Sequence, residues 1–129
     1  MTDSALQAES LMVSLTVKDL MASRKWYHEV VGFAVENEYE HEGVLRAIAL
    51  RAGKVRVLLN QDDGAKGWDR KKGDGMSMTI TTDDVDGAAA RIKAAGGTLG
   101  AEPEDKPWGA RMFPITDPDG FRFAISTPI

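Results

Sequence analysis

The chain contains no cysteine among its 129 residues. This absence excludes a disulfide scaffold, a thiolate metal site and a cysteine nucleophile, and it leaves the cellular compartment open. Long apolar runs are also missing, because no stretch approaches the roughly 20 apolar residues that a membrane-spanning helix needs. Residues 1–10 lack the basic start and apolar centre of a signal peptide. We therefore expect a cytoplasmic protein that makes no membrane contact.

An excess of positive charge is missing as well, since the formal net charge is −4. A general nucleic-acid-binding protein needs a basic face, so we expect no nucleic-acid partner. The basic run Arg70-Lys71-Lys72 lies between Asp69 and Asp74 and is interpreted as a solvated loop. The length of the chain is that of one domain, 1–129, which is large enough to bury its own core.

The two halves of the chain repeat one pattern. In each half an apolar strand leads to an aspartate at a helix N-cap position, then to an apolar helical stripe and a glycine stop. Asp19 and Asp84 are 65 residues apart, and so are Gly32 and Gly97. The repeat predicts two βαβββ modules, residues 11–60 and 76–126, with a connecting loop at 61–75. The predicted strands are 11–17, 33–40, 43–51, 54–60, 76–82, 98–102, 110–116 and 121–126.

The stretch from Lys106 to Phe123 combines an isolated tryptophan with a tight turn. Trp108 lies between a proline and a glycine, so little regular structure surrounds it. Its ring either caps the end of the core or contacts a ligand or partner. The sequence Asp117-Pro118-Asp119-Gly120 predicts a turn between two strands. After the turn, alternation predicts one buried strand face, which consists of Phe121, Phe123 and Ile125.

These motifs resemble the vicinal oxygen chelate superfamily, which includes glyoxalase I, extradiol dioxygenases and bleomycin-resistance proteins. The resemblance spans residues 11–126. It implies an α+β fold in which two tandem βαβββ modules form curved sheets around a cleft, assembled as a homodimer. The motifs that carry it are Leu15-Thr16-Val17-Lys18-Asp19-Leu20, Ser23, Trp26-Tyr27-His28-Glu29-Val30-Val31-Gly32-Phe33, Thr82-Asp83-Asp84-Val85-Asp86, Ala94-Ala95-Gly96-Gly97 and Asp117-Pro118-Asp119-Gly120.

Metal-dependent members of that superfamily place His or Glu ligands at four matched strand positions. Here the resemblance matches them to Met12, Ser77, Ala124 and one residue within 56–58 (Arg-Val-Leu). Met12 and Ala124 supply neither a hard oxygen nor an imidazole, and a neutral serine is a poor ligand. We therefore expect no metal and no other cofactor, and the chemistry disfavours the metal-dependent glyoxalase and dioxygenase activities.

Other catalytic arrangements are also missing from the sequence. Of the two histidines, His28 is expected on an exposed helix face, and His41 lies among Glu38, Glu40 and Glu42, which fit a solvated strand edge better than a metal site. There is no glycine-rich phosphate loop and no serine with an evident histidine base. No catalytic residue is predicted. A lyase, isomerase or dioxygenase with a displaced metal or none, and a scaffold dimer with a vestigial cleft, remain as alternatives.

Small-molecule binding is the function that the residues favour. The segment from Lys106 to Gly109 resembles the bleomycin-resistance branch, whose members sequester an antibiotic at the dimer interface without changing it. The resemblance implies a small, aromatic ligand, although an acidic excess of only four residues suits a cation such as bleomycin poorly. Phe33 begins a strand that lines the cleft in that branch, and alternation places Tyr39 on the same face. The candidate ligand-binding residues, for which core or surface roles remain open, are Trp108, Phe33, Tyr39, Trp68, Arg46, Arg111 and Ser77.

Overall fold

A computed structural model describes residues 4–129 of the chain. Each half has the predicted order of one strand, one helical segment and three further strands, so the α+β fold is confirmed. The first half contains β1 (Met12–Val17), α1 (Leu20–Lys25), a π-helical segment (Trp26–Val31), β2 (Ala34–His41), β3 (Val44–Ala52) and β4 (Val55–Gln61). The second half contains β5 (Met78–Thr81), α2 (Val85–Ala94), β6 (Glu104–Lys106), β7 (Ala110–Thr116) and β8 (Arg122–Pro128).

The strands form two four-stranded mixed sheets with the same topology. The order in the first sheet is β1-β4-β3-β2, and the order in the second is β5-β8-β7-β6. In each sheet the first strand pairs in parallel with the last, while the other pairs are antiparallel. The helical segment between the first two strands of each half provides the long crossover that parallel pairing requires.

The predicted caps begin both helices. The side chain of Asp19 accepts a hydrogen bond from the backbone N–H of Ala22 at 3.1 Å, and Asp84 accepts one from Gly87 at 2.9 Å. Such caps satisfy N–H groups that have no partner within the helix. Gly32 ends the first helical run at φ +108°, and Gly96 follows α2 at φ +88°.

The strand predicted at 98–102 is wrong, because the sixth strand is Glu104–Lys106. The segment 98–102 makes a backbone hydrogen bond to β7, from the N–H of Gly100 to the carbonyl of Pro114 at 2.8 Å. Pro114 has no N–H with which to continue a ladder at that point, and Pro103 interrupts the neighbouring segment in the same way. Pairing therefore begins only after Pro103.

A shared core joins the two halves. Tyr27 in the π-helical segment makes edge-to-face contacts with Phe33 at 5.7 Å and with Phe123 of the second sheet at 5.9 Å between ring centroids. Phe121, Phe123 and Ile125 are 7%, 3% and 5% exposed, which confirms the predicted buried face of the last strand. Within residues 4–129, no helix has both the length and the apolar character needed to cross a membrane.

Candidate functional site

The helices cover one face of each sheet and leave the other face open. Helix α1 packs on β3 and β4, whereas α2 packs on β7 and β8. Strand register assigns the side chains to faces, since directly paired residues lie on the same side of a sheet. We call the uncovered surface of the first sheet the first open face; it contains Met12, Ser14, Thr16, Ala34, Asn37, Tyr39, Ala47, Ala49, Arg51, Arg56, Leu58 and Asn60.

The centre of the first open face is neutral, and its charges are at one end. Ala49 pairs with Leu58 in the middle of the sheet. At the charged end, Glu36 accepts from Arg51 Nε at 2.5 Å and lies 3.5 Å from Arg56 Nε. Two arginines against one glutamate leave this end with a net positive charge. The neutral centre presents methyl and isobutyl groups that suit an apolar ligand surface.

Towards the other end of the first open face lie neutral polar and aromatic groups. The side-chain amide of Asn60 donates to the hydroxyl of Ser14 at 2.7 Å. Tyr39 pairs with Ala47 and is 49% exposed. The exposed part of this ring is available for stacking with an aromatic ligand, at little cost in side-chain entropy.

The corresponding surface of the second sheet, the second open face, has a neutral row at its centre and carries charged side chains on its edge strand β6. Thr79 pairs with Ala124, and Ala124 pairs with Pro114. The next row contains Thr81, Ser126, Met112 and Glu104, whose carboxylate pairs with Lys106. Ser77 is exposed and lies two residues before Thr79, just outside β5. Hydroxyl and methyl groups therefore dominate the centre of this face.

Phe33 and Tyr39 do not share a face, contrary to the prediction. A β-bulge inserts Glu36 between the Val35–Leu50 pair and the Asn37–Ala49 pair. One extra residue transfers every following side chain to the opposite face. Phe33 is consequently 1% exposed on the helix-covered side, while Tyr39 lies on the first open face.

The other candidate residues are dispersed over the chain. Trp108 is 67% exposed in the turn between β6 and β7, and Trp68 is 50% exposed in the loop that joins the halves. Arg46 is exposed at a second irregularity, in β3. Arg111 donates to Asp86 of α2 and to Asp105 of β6, each at 3.1 Å, which occupies its guanidinium on the helix-covered side. A single chain therefore does not bring the seven candidates together in one cavity.

Trp68 lines a surface cavity of about 570 Å³ that is separate from both open faces. Its indole lies directly against Gly64, where a β-carbon would collide with the ring. The remaining wall residues of this cavity are Lys18, Asp19, Ala22, Ser23, Gln61, Pro118 and Asp119.

The four positions matched to metal ligands lie on or beside the open faces. Met12 pairs with Arg56, and Ala124 pairs with Thr79. Over residues 4–129, no three His, Asp or Glu side chains are grouped in a way that could hold a metal ion. His28 is exposed as expected, and its Nδ1 lies 2.6 Å from the carbonyl oxygen of Phe33. Glu38, Glu40 and Glu42 are exposed at the edge strand β2, as the solvated strand edge predicts, and Glu38 pairs with Arg24 at 2.8 Å.

A buried polar cluster between the halves was missed by the sequence reasoning. The hydroxyl of Tyr27 donates to Asp117 Oδ2 at 2.7 Å, while the N–H groups of Asp119 and Phe121 donate to Asp117 Oδ1. Burial raises the pKa of Asp117, although the bond from Tyr27 opposes this shift. Burial, together with the Asp117 carboxylate, raises the pKa of Tyr27, so its hydroxyl stays protonated and acts as the donor.

Lys72 forms the second part of that cluster, and its interpretation as a solvated loop residue is wrong. Its side chain is 8% exposed and lies 2.9 Å from Asp62 and 3.1 Å from Asp119. The backbone N–H of Gly64 and the Lys72 ammonium lower the pKa of Asp62 to about 2. The sequence does show aspartates at equivalent places in the two halves, because two aspartates follow β4 and the Asp-Pro-Asp-Gly turn follows β7. No local pattern connects these aspartates with Lys72.

Comparison with known proteins agrees with this fold. The Mycobacterium bovis protein Mb0911c is 33% identical over 94 residues, which cover 68% of this chain and 62% of the relative, so the match spans only about six tenths of its length. The crystal structure of TioX from Micromonospora sp. ML1 is similar with a TM-score of 0.76 and 23% identity, over 95% of this chain and 100% of TioX. TnmS3, an antibiotic binding protein from Streptomyces sp. CB03234, has a TM-score of 0.68 and 23% identity, over 98% of this chain and 100% of TnmS3. The model of the Glyoxalase/Bleomycin resistance protein/Dioxygenase superfamily matches residues 10–125, and the chain belongs to this superfamily.

Proposed function

We propose that the protein binds a planar aromatic small molecule of the antibiotic class against its open sheet faces and does not transform it. The observation that carries this proposal is the first open face, where the neutral Ala49–Leu58 centre adjoins the half-exposed ring of Tyr39. An apolar surface with an aromatic edge favours a planar apolar ligand, because stacking and area burial then act together.

The charge at the rim narrows the ligand class. Arg51 and Arg56 oppose the single carboxylate of Glu36 at one end of the first open face. A neutral or anionic aromatic compound is therefore favoured over a cation such as bleomycin. TnmS3, which has the same fold, is an antibiotic binding protein, and this supports the choice of antibiotics as the compound class.

The proposed binding unit is a homodimer. Each open face is a single wall, and a ligand enclosed on two sides needs a second wall opposite it. The edge strands β1 and β5 have one free side each within the two described sheets, and Met12 on β1 is 49% exposed. A second copy of the chain would cover these edges and would place one of its own open faces opposite the open face of the first copy. Trp108, Ser77 and Arg46, which are exposed, are the proposed contributors from the margins of the faces.

Binding is proposed to need no metal. The side chains of Met12, Ser77 and Ala124 at the family positions are poor ligands for zinc, iron or manganese. Elemental analysis of protein purified without chelator tests this part directly. A stoichiometric amount of any of these metals would contradict it.

Tryptophan fluorescence tests the binding proposal. We expect actinomycin D, whose chromophore is planar and uncharged, to quench the emission in a saturable way and more strongly than bleomycin does. Tyr39→Ala should weaken binding about 3- to 10-fold, since an aromatic contact contributes about 0.5–1.5 kcal/mol. His41→Ala, in the same strand, is the matched control and should bind like the wild type.

The oligomeric state is checked on the same samples by light scattering. We expect a dimer at micromolar concentration. Two results would contradict the proposal: no quenching by any member of a panel of aromatic antibiotics at millimolar concentration, or a monomer that still binds with full affinity.

A further inference from the structure

A second cavity, of about 480 Å³, lies between the two halves of the chain. Its walls come from the end of the π-helical segment, the turn between β3 and β4, strand β5 and helix α2. We call it the inter-half cavity. Its volume is within the range of about 300–1,000 Å³ that is typical of small-molecule sites.

One part of the wall of the inter-half cavity is apolar, and the lining also includes Thr81 and Thr82. Phe33, Ile92 and Ile125 contribute walls that are 1%, 2% and 5% exposed. Val55, Ile80 and Ala88 are partly buried and pack against the same core. An alkyl or aryl group placed against these residues would lose part of its contact with water, which is the main source of affinity for apolar ligands.

Two cations line this apolar space. Arg91 of α2 donates from Nη2 to the carbonyl of Val31 at 2.7 Å, and this holds the guanidinium at the cavity wall. Gly32 makes room for it, because a β-carbon at this position would lie 3.0 Å from Cζ and Nη2. Lys54, in the turn between β3 and β4, is the second cation.

Neither cation has an acidic partner within 4 Å among residues 4–129. This separates them from Arg111 and Lys72, which each contact two carboxylates. The single bond of Arg91 to Val31 leaves most of its N–H donors available. A planar guanidinium with free donors matches a carboxylate in geometry and charge.

We propose that the inter-half cavity is a binding site for a monocarboxylic acid with an unbranched apolar tail. The carboxylate binds Arg91, with Lys54 as a second positive group, and the tail lies against Phe33, Ile80 and Ile125. This site is independent of the ligand proposed for the open faces. Phe33 precedes the bulge and lies on the helix-covered side of the sheet, where it contributes to the wall of this cavity.

Isothermal titration calorimetry with decanoate tests the proposal. Decanoate should bind at one site per chain, and nonyltrimethylammonium, which has the same nonyl tail and the opposite charge, should not bind. Shortening the acid should weaken binding with each methylene that the cavity buries, and the upper limit is about fourfold per methylene, from the transfer free energy of a fully buried CH₂. Equal binding of the anion and the cation, or no binding of decanoate at millimolar concentration, would overturn the proposal.

Variants assign the site to its residues. Arg91→Gln should weaken decanoate binding about 10- to 100-fold, the range for a hydrogen bond to a charged group. Lys93→Gln is the matched control, because it removes the same charge from the same helix at a residue that does not line the cavity. Decanoate binding that is unchanged in Arg91→Gln would refute the role of the guanidinium.

Ala88→Leu keeps Arg91 and fills the apolar space with a residue that favours helices. It should weaken decanoate binding while fluorescence quenching by actinomycin D stays at the wild-type level. Circular dichroism and the melting temperature confirm that the variant is folded. Because the two ligands are measured separately, failure of the open-face proposal leaves this result interpretable. Full decanoate affinity in folded Ala88→Leu would place the tail elsewhere and refute the site.

Discussion

The two halves of the molecule have the same topology but accommodate their helices differently. From the cap Asp19 to Gly32, the first glycine with positive φ, the chain advances thirteen residues, whereas from Asp84 to Gly96 it advances twelve. The extra residue of the first half is accommodated in the π-helical segment Trp26–Val31. A π-helical turn is the usual form in which a helix absorbs a one-residue insertion, and such turns are frequent at functional positions.

The difference gives the first half a polar contact that the second half lacks. Tyr27 and Ile92 occupy the same distance from their caps, and both are buried, at 1% and 2% exposure. Ile92 contributes apolar packing. Tyr27 adds a hydrogen bond to Asp117, 90 residues away in the other half. Equivalent positions of a repeat can therefore serve different purposes, packing in one half and connection between halves in the other.

Truncation of the two equivalent residues should give the largest effects. We expect Tyr27→Ala to lower the free energy of unfolding by about 3–5 kcal/mol and Ile92→Ala by about 2–5 kcal/mol, because each leaves a cavity in the shared core. Urea denaturation measures both. A cost below 1 kcal/mol for Tyr27→Ala would show that the core does not depend on the ring contacts between halves.

The two terminating glycines allow a finer comparison. Gly96→Ala should cost about 1–2 kcal/mol, the penalty of a left-handed conformation for an L-residue. Gly32→Ala should cost about 2–3 kcal/mol, since the methyl group also displaces Arg91 from the Val31 carbonyl. Thermal or urea unfolding of the two variants checks the order. Equal costs would mean that Arg91 moves aside without loss.

Removing only the hydroxyl of Tyr27 should have a smaller effect than truncating the whole side chain, and that effect should depend on pH. Tyr27→Phe is expected to cost about 1.5 kcal/mol at pH 7, where Asp117 loses a donor. Burial already raises the pKa of Asp117, and loss of the bond raises it further. A raised pKa in the folded state means that protonation favours folding, so acidification helps the variant more than the wild type.

The difference between the two proteins should therefore shrink as the pH is lowered from 7 to 4. Urea denaturation at several pH values measures it. Tyr39→Phe removes the same hydroxyl from a half-exposed ring and serves as the control, with no expected change. A difference that stays constant over this pH range would contradict the assignment to Asp117.

The sequence predicted the topology because its signals are local. Asp19, Asp84 and the alternating apolar residues of β1 and β8 each determine structure within a few neighbours. The π-helical segment and the β-bulge each depend on one extra residue, and no local sequence pattern indicates them. Pairing Gly32 with Gly97 at a spacing of 65 residues concealed the extra helical residue, which appears only when Gly32 is compared with Gly96.

The candidate site was harder to predict, for the same reason. The bulge at Glu36 reverses the faces of β2, so alternation placed Phe33 and Tyr39 together although they lie on opposite sides. A bulge depends on how two strands fit each other, and one strand read alone does not contain that information. The contacts of Asp117 with Tyr27 and of Lys72 with Asp62 and Asp119 join distant segments, and no spacing rule indicates them.

The position of Lys72 has a consequence for how the protein unfolds. The loop at 61–75 has the composition of a flexible connection, yet Asp62 anchors its start and Lys72 attaches its later part to Asp119 in the second half. The core beneath it is also common to both sheets. Neither half can open without exposing a buried ammonium and two carboxylates together with apolar surface of the other half. We therefore expect the duplicated chain to unfold as one cooperative unit, in which neither repeat retains its structure after the other has melted.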